Sequence, residues 1–287
     1  MQTKALPGFR EFYPADLALR THIFRTWRTV AMRYGFEEYD GPPLEPLELY
    51  TAKSGDEIVG QLYNFTDKGG RDVALRPEMT PTLARMVAAR ANGLKKPIRW
   101  FAIPQLFRYE RQQRGRLREH FQLNCDLIGE PGPLGDAEII ALALDVMRAF
   151  GLGPADVRVR LSDRRVLRAL LLGAGVTEPQ LGAAYQAVDK IERFDRSALA
   201  AQLEGAGVGA DVVARVFEVA GLRGLSAVQA ALARVAGGAE AGVPLGRIVD
   251  ALGAMGLGPF VEVDLTIVRG LAYYTGTVFE LFDAGRT

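Results

Sequence analysis

Two apolar stretches flank an arginine-rich segment near the middle of the chain. The first, residues 98–109, reads IRWFAIPQLFRY, and the second, residues 121–128, alternates polar side chains at Gln122, Asn124 and Asp126 with apolar neighbours. Aromatic and β-branched residues in this pattern predict two antiparallel strands. The loop that joins them is longer than the two to five residues of an ordinary hairpin. The chain is therefore expected to build a sheet around this hairpin.

The arginines of the hairpin have two interpretations. They are Arg108, Arg111, Arg114, Arg116 and Arg118. A guanidinium group matches phosphate oxygens and keeps its charge, so the loop can hold an anion over the sheet. The alternative is a solvated hairpin whose arginines only keep the surface soluble. Gln122 and Asp126 lie four residues apart on one strand and project from the same face, which favours a binding face.

Composition limits the other classes of function. The chain has 287 residues, 48% of them apolar and 24% charged, with a net charge of +1, which predicts a globular protein with one large domain or one plus an insertion. One cysteine, Cys125, excludes an intrachain disulfide, and with two histidines we expect no metal held by protein side chains. We find no signal-peptide core and no 18-residue apolar run, so we expect a cytoplasmic protein without membrane spans.

Periodicity places the other elements. A helix is predicted from Asp16, as N-cap, to Tyr34, with Gly35 ending it, and a strand follows up to a proline turn. Two short strands, LYNFTD and VALR, precede a helix at residues 81–91. A second long helix is predicted with Asp136 as its N-cap. The alternating stretch 157–162 predicts a strand, residues 163–256 read as helices, and residues 260–282 contain two more strands.

Three stretches resemble one family. The stretch FRYERQQRGRLREHFQLNCDLIG, residues 107–129, resembles motif 2 of the class II aminoacyl-tRNA synthetases, in the form found in histidyl-tRNA synthetases. The stretch ALRPEMTPTLARM, residues 74–86, resembles the segment in which that family binds the amino group of histidine. RGLAYYTG, residues 269–276, is similar to the histidine-specific motif, usually written R-G-L-D-Y-Y. The first helix and strand resemble motif 1, which forms the dimer interface.

The resemblance implies an α+β fold, with a mainly antiparallel class II synthetase-like sheet flanked by helices and a helical insertion. Residues 1–162 would form the first part of the catalytic core, residues 163–257 the insertion, and residues 258–287 the histidine-specific strand pair. In the family the insertion lies over the tRNA acceptor arm, although a helical block without a ligand also fits the sequence. Family members continue with a glycine-rich ATP motif and an anticodon-binding domain, so we expect this chain to be a truncated form.

The resemblance also implies a reaction and its residues. Histidine and ATP would form histidyl-adenylate, and the histidyl group would pass to tRNA(His), with Mg²⁺ accompanying ATP and a homodimer as the assembly. The implied catalytic residues are Arg108 and Arg269, and the ATP-binding residues are Arg108, Glu110 and Arg116. The implied histidine-binding residues are Glu78, Thr80, Gln122, Asp126, Arg269, Tyr273 and Tyr274. Gln113 and Arg114 are the candidates for contact with the tRNA acceptor end.

Two departures and two alternatives accompany this interpretation. Ala272 stands where aspartate is commonest, and Asp126 stands where glutamate is frequent. For Glu78 and Thr80 the alternative is structural, with Thr80 as a helix N-cap and Glu78 exposed. For the whole chain the alternative is the regulatory subunit of ATP phosphoribosyltransferase, which resembles a synthetase core without the anticodon domain. No P-loop or G-x-G-x-x-G follows a strand, so phosphate binding would depend on side chains.

Overall fold

The computed structural model describes residues 5–51, 59–110, 116–268 and 275–285. The chain divides into two compact units, Met1–Glu130 and Pro131–Thr287. The elements of the first unit are α1 (Pro14–Arg33), β1 (Glu37–Glu38), β2 (Leu44–Pro46), α2 (Glu48–Thr51), β3 (Tyr63–Thr66), β4 (Asp72–Leu75), α3 (Thr80–Arg90), β5 (Ile98–Ala102), β6 (Gln105–Phe107), β7 (Glu119–Phe121) and β8 (Asn124–Ile128).

Helix α1 confirms the predicted helix but begins earlier than predicted. Its first residue is Pro14 and its N-cap is Tyr13, so the prediction of Asp16 as N-cap is wrong. Proline is favoured in the first turn because its fixed φ suits the helix and it has no N–H to satisfy. Asp16 lies in that turn, where a carboxylate interacts favourably with the helix dipole. Gly35, at φ 75°, follows the helix and allows the chain to turn back.

The predicted hairpin is present and is divided into two paired segments. Strand β5 pairs antiparallel with β8, and β6 pairs antiparallel with β7. Pro104 lies between β5 and β6 and has no N–H to donate to a ladder. Strand β1 runs parallel to β5 and gives the sheet order β1-β5-β8, whereas β2, β4 and β3 form a separate antiparallel sheet. The stretch predicted as one strand after α1 is thus split between β1 and β2, on either side of Pro42 and Pro43.

The buried side chain of Arg76 joins the end of β4 to two other segments of the first unit. Its Nε donates to the carbonyl of Gln105 at 3.0 Å, and its Nη1 donates to Asp40 Oδ1 at 2.8 Å and to the Gly41 carbonyl at 2.7 Å. The backbone adds two bonds, from Arg76 N to the Pro43 carbonyl and from the amide of residue 107 to the Arg76 carbonyl. The guanidinium therefore satisfies three acceptors, and it is only 5% exposed.

The second unit combines one small sheet with many helices. Its elements are α4 (Pro133–Ala149), β9 (Val157–Asp163), α5 (Arg164–Gly173), a 3₁₀ turn (Glu178–Gln180), α6 (Leu181–Lys190), α7 (Arg196–Gly205), α8 (Ala210–Ala220), α9 (Leu225–Leu232), α10 (Gly238–Ala254), a 3₁₀ turn (Gly258–Phe260), β10 (Val261–Val263) and β11 (Thr277–Asp283). Strand β9 is central: β10 pairs with it in parallel, and β11 pairs with it antiparallel along seven residues.

Two aspartates lie near helix starts in this unit, and only Asp136 was predicted to be an N-cap. Asp163 is the N-cap of α5, and its carboxylate accepts from the amide of Arg165 at 2.8 Å. Asp136 is not an N-cap, because α4 begins at Pro133 with Gly132 as the N-cap, and Asp136 lies in the first turn. As in α1, a proline three or fewer residues before the aspartate sets the start of the helix.

A buried carboxylate organises the segment that follows β10. Asp264 is fully buried, and its Oδ1 accepts from the amide and hydroxyl of Thr266. Arg223, which lies between α8 and α9, forms an ion pair with Asp264 at 3.2 Å, and Arg160 of β9 approaches it at 3.5 Å. These contacts fasten the helical part of the unit to the chain that leads to residue 268.

The α+β fold class is confirmed, with mainly antiparallel sheets and flanking helices. Helices α5 to α10 fall within the predicted insertion, and its boundaries at residues 163 and 257 remain predictions. None of the described helices is both long enough and apolar enough to cross a bilayer.

We expect the substitution Arg76→Met to destabilise the first unit by about 3 kcal/mol. Methionine fills a similar volume but leaves two part-buried carbonyl oxygens without their donor, and an acceptor that loses its donor in this way destabilises the fold. Urea unfolding followed by a spectroscopic signal from the first unit measures the loss. Arg71→Met is the matched control, because Arg71 is 80% exposed and pairs only with Asp67 four residues away. Equal effects of the two substitutions would contradict the role given to Arg76.

Candidate active site

One face of the hairpin sheet carries Arg108 together with alternate polar residues of the second strand. The pairs Ile98–Ile128 and Gln105–Phe121 belong to the same register, so the alternation of side chains continues past Pro104. We call the polar side chains on this side the polar face; they are Arg108, His120, Gln122, Asn124 and Asp126. The prediction that Gln122 and Asp126 share a face is therefore confirmed.

Arg108 is fixed at the loop end of the polar face. Its amide donates to the Arg118 carbonyl at 3.0 Å, which extends the hairpin pairing, and its Nε donates to the Pro77 carbonyl at 3.1 Å. The second bond brings the guanidinium beside Glu78, which is half-buried. Burial raises the pKa of Glu78, and the charge of Arg108 opposes that rise. A cation and a carboxylate thus lie side by side at this end.

His120 contributes little positive charge to the site. Burial lowers the pKa of its imidazole, the neighbouring Arg108 lowers it further, and a hydrogen bond with Gln122 works in the opposite direction. The polar face is therefore charged by arginine and carboxylate groups at neutral pH.

Thr80 and Glu78 do not form the structural arrangement that was the alternative to a binding role. Helix α3 begins at Thr80, but its N-cap is Met79, and no side chain caps the helix. Thr80 is exposed, whereas Glu78 is half-buried beside Arg108. The capping interpretation is therefore wrong for both residues, and the Thr80 hydroxyl is available to a ligand.

The two further residues predicted to bind ATP lie next to each other. Arg116 Nη1 approaches Glu110 Oε2 at 3.4 Å, with the Arg116 side chain 66% exposed and that of Glu110 16% exposed. Arg118 Nε donates to the Glu110 carbonyl at 3.4 Å, and its guanidinium stacks over the Tyr109 ring at 4.1 Å. The exposed guanidinium of Arg116 can exchange this weak pair for a more strongly charged anion.

Three polar atoms at the other end of the polar face are buried and unsatisfied. They are the hydroxyl of Tyr39, Oδ1 of Asn124 and Oδ2 of Asp126, and none has a hydrogen-bond partner among the described residues. Each such atom costs roughly 1–3 kcal/mol when it stays unpaired. Burial raises the pKa of Asp126 to about 6. An incoming group with hydrogen-bonding nitrogen or oxygen atoms would satisfy all three.

Five predicted site residues lie outside the described residues. They are Gln113, Arg114, Arg269, Tyr273 and Tyr274. The same is true of Ala272. Their roles remain predictions.

Sequence reasoning missed Tyr39, Asn124 and Arg76. Asn124 could have been found, because it lies on the same strand and face as Gln122 and Asp126. Tyr39 is adjacent to a two-residue strand whose parallel pairing with β5 has no local signal in the sequence. Arg76 stands next to the predicted Pro77–Glu78 segment, but its partners are 29 and 36 residues away along the chain.

The donor set suits phosphate and ammonium groups. Within the described ranges, no group of three or more His, Cys, Asp or Glu side chains converges as metal ligands do. One end of the polar face offers arginine and carboxylate side chains, and the other end offers neutral and acidic acceptors. Together they match a ligand that carries charges of both signs and a polar ring.

The raised pKa of Asp126 predicts a pH-dependent loss of stability. The folded-state pKa of Asp126 is about 6, above the ordinary value of 3.8. Below about pH 4 the carboxyl is protonated in both states and does not lower the free energy of unfolding. That free energy falls as the pH rises from about 4 through 6, because the folded state then has to hold a charged carboxylate. Asp126→Asn removes the titration. Its stability relative to the parent should therefore rise from about zero at pH 4 to about 3 kcal/mol at pH 8, at 1.36 kcal/mol per unit.

Urea unfolding at several pH values measures this difference. The same substitution at the exposed Asp250 is the control. Parallel pH profiles for Asp126→Asn and the parent would show that Asp126 is solvated or paired.

A family model and the curated relatives of this chain agree on one family. The model of the histidyl-tRNA synthetase family matches residues 8–287. A histidine–tRNA ligase of Opitutus terrae is 53% identical over 284 residues, covering 98% of this chain and 65% of the relative. One of Halobacterium salinarum is 42% identical over 281 residues, covering 97% and 64%. The chain thus spans slightly less than two thirds of the length of these curated relatives.

Solved structures share the fold. A histidyl-tRNA synthetase from Nostoc sp. PCC 7120 superposes with a TM-score of 0.87 at 23% identity, covering all of this chain and 66% of that one. An ATP phosphoribosyltransferase regulatory subunit/histidyl-tRNA synthetase from Bacillus halodurans gives 0.85 at 22% identity, covering 100% and 74%. With the family model covering nearly every residue, the chain belongs to the histidyl-tRNA synthetase family.

Proposed function

We propose that this chain carries the histidine-activating site of a histidine–tRNA ligase. The observation that carries the proposal is the polar face: Arg108 is held against the Pro77 carbonyl beside Glu78 at one end, and buried unsatisfied acceptors lie at the other. The curated relatives with this name are 53% and 42% identical to the chain.

The ammonium group of histidine is assigned to Glu78, Thr80 and Gln122. Glu78 supplies a half-buried carboxylate, Thr80 an exposed hydroxyl at the start of α3, and Gln122 an exposed amide on the polar face. A carboxylate with two neutral acceptors is the set that an ammonium group requires.

The imidazole ring is assigned to Asp126, together with Tyr273 and Tyr274 of the histidine-specific motif. The Asp126 side chain is half-buried, and its buried Oδ2 has no partner among the described residues. Such an oxygen accepts from a ring N–H and fixes the tautomer of the imidazole.

The phosphates of ATP are assigned to arginines. In the first step an oxygen of the histidine carboxylate attacks the α-phosphorus, the bond to the β-phosphate oxygen breaks, and pyrophosphate leaves with the electron pair. Arg108 and Arg269 would neutralise charge on the α-phosphate from two sides, and Arg269 would also hold the histidine carboxylate. Arg116 would bind the β- and γ-phosphates, and Glu110 would lie near the adenine. Alignment and charge neutralisation account for most of such catalysis.

Mg²⁺ enters the proposal as the companion of ATP. It would be held through phosphate oxygens, as hard cations with few protein ligands commonly are. The side chains described here do the remaining work of binding and orienting the two substrates.

The second step brings tRNA to the adenylate. A terminal ribose hydroxyl of tRNA(His) attacks the carbonyl carbon of histidine, and AMP leaves. Gln113 and Arg114 in the hairpin loop are proposed to contact the acceptor end, and contacts to its backbone would weaken as salt rises. We further propose a homodimer formed through α1 and the strand that follows it, working in the cytoplasm.

The regulatory subunit of ATP phosphoribosyltransferase is the second candidate function. The Bacillus halodurans structure, whose name includes both functions, has the same fold. A fold shared at 22% identity does not separate them, so the choice depends on site residues. Glu78, Arg108 and Asp126 together favour the ligase, since a regulator has no need for a complete activating site.

The substitution Arg269→Ala tests the catalytic proposal. Removing one positive group from the α-phosphate should lower histidine-dependent ATP–pyrophosphate exchange at least about 100-fold, because charge stabilisation of this kind contributes that much. Thermal unfolding should be unchanged. Arg148→Ala is the control, since Arg148 is 53% exposed and pairs with Asp145 on α4.

Two outcomes oppose the proposal. Exchange at the parental rate in Arg269→Ala would remove Arg269 from the site. A parent protein that binds no histidine would contradict the proposed activating site.

A further inference from the structure

The segment that joins β4 to the first turn of α3 is held by a buried side chain at each end. It carries Glu78 and Thr80, to which the ammonium group of histidine is assigned. Arg76, just before it, is fixed by three acceptors. Thr82, just after it, is fully buried, and its Oγ1 donates to Oε1 of Glu45 at 3.0 Å. Two fixed points therefore set where this short segment runs.

Glu45 holds α3 from strand β2. Its side chain is buried, and its backbone is fixed by the pairing of β2 with β4, where it lies opposite Ala74. The same Oε1 atom that accepts from Thr82 also accepts from Nη2 of Arg85 at 2.6 Å. Thr82 and Arg85 are three residues apart and share one face of the helix. One carboxylate oxygen thus binds the first and second turns of α3 to the sheet.

The start of α3 depends on this contact because no side chain caps the helix. Its N-cap residue is Met79, which has a helical conformation. A carboxylate near the first turn also interacts favourably with the helix dipole. Close packing adds to the restraint, since a Cβ atom at Gly41 would clash with the Cγ2 methyl of Thr82. The first turn, which includes Thr80, therefore has little freedom to shift.

We propose that Glu45 is a positioning residue for histidine, which acts through Thr82 to set where Glu78 and Thr80 meet the ammonium group. This inference rests on the proposed function and adds to it a residue that does not touch the ligand. A buried carboxylate commonly costs about as much free energy as its ion pair returns. Its hydrogen bonds, however, have fixed lengths and directions, which apolar packing does not supply.

The test compares the binding of histidine with that of imidazole propionate, which is histidine without its amino group. Glu45→Met removes both hydrogen bonds of the carboxylate and keeps a similar volume. Thr82→Val removes the hydroxyl at the other end of the contact and keeps the shape of the side chain. Isothermal titration of the full chain gives the Kd of each ligand for the parent and for both variants.

We expect both variants to bind histidine about tenfold more weakly than the parent, because a displaced Glu78 or Thr80 loses about one hydrogen bond to the ammonium group. The Kd for imidazole propionate should stay the same, since that ligand does not use these residues. If thermal unfolding shows that Glu45→Met does not fold, Thr82→Val decides by the same comparison.

Glu48→Met is the matched control. Glu48 lies three residues further along the same unit, on α2, and is exposed. This substitution should change neither Kd.

The outcomes separate this inference from the function on which it rests. An equal loss of affinity for both ligands would overturn the role of Glu45, since the contact would then act on the fold as a whole. Unchanged affinity for both ligands would overturn it as well, and in either case the proposed function stands. A parent chain that binds histidine no more tightly than imidazole propionate would overturn the proposed ammonium site and this inference with it.

Discussion

The guanidinium of Arg76 is the interaction on which the first unit depends. It joins the end of β4 to the segment after β1 and to the start of β6, and it does so with one buried group and three acceptors. The chain next to it carries Pro77 and Glu78, so the position of these residues follows from the position of Arg76. Because Pro77 in turn accepts from Arg108, the same interaction orients the guanidinium proposed to meet the α-phosphate.

The second constraint is the register of the hairpin. A shift of one residue would turn every side chain of β7 and β8 to the opposite face. The observed register places Gln122, Asn124 and Asp126 together with Arg108, and turns Phe101 and Cys125 to the other side. The fold and the proposed site thus depend on the same pairing. The polar face carries unsatisfied acceptors at some cost in stability, as is common where a protein keeps a site ready for a ligand.

Much of the fold could be predicted because its signals are local. The hairpin strands, α1, α3 and the helices after residue 163 follow from periodicity, and the glycine after α1 from helix-ending chemistry. The helix starts at Asp16 and Asp136 were wrong because a nearby proline fixed the first turn. The site was predictable where it lies on one strand or follows the family motif. Tyr39 and Arg76 were missed because their roles come from partners that are distant along the chain and close only in the fold.

We propose that the polar face of the hairpin binds histidine, and a crystal structure of the protein with histidine bound is the experiment that decides it. We expect the ammonium group at Glu78 and the imidazole ring beside Asp126. Histidine bound elsewhere, or a ring turned away from Asp126 with its carboxylate still unpaired, would contradict the claim.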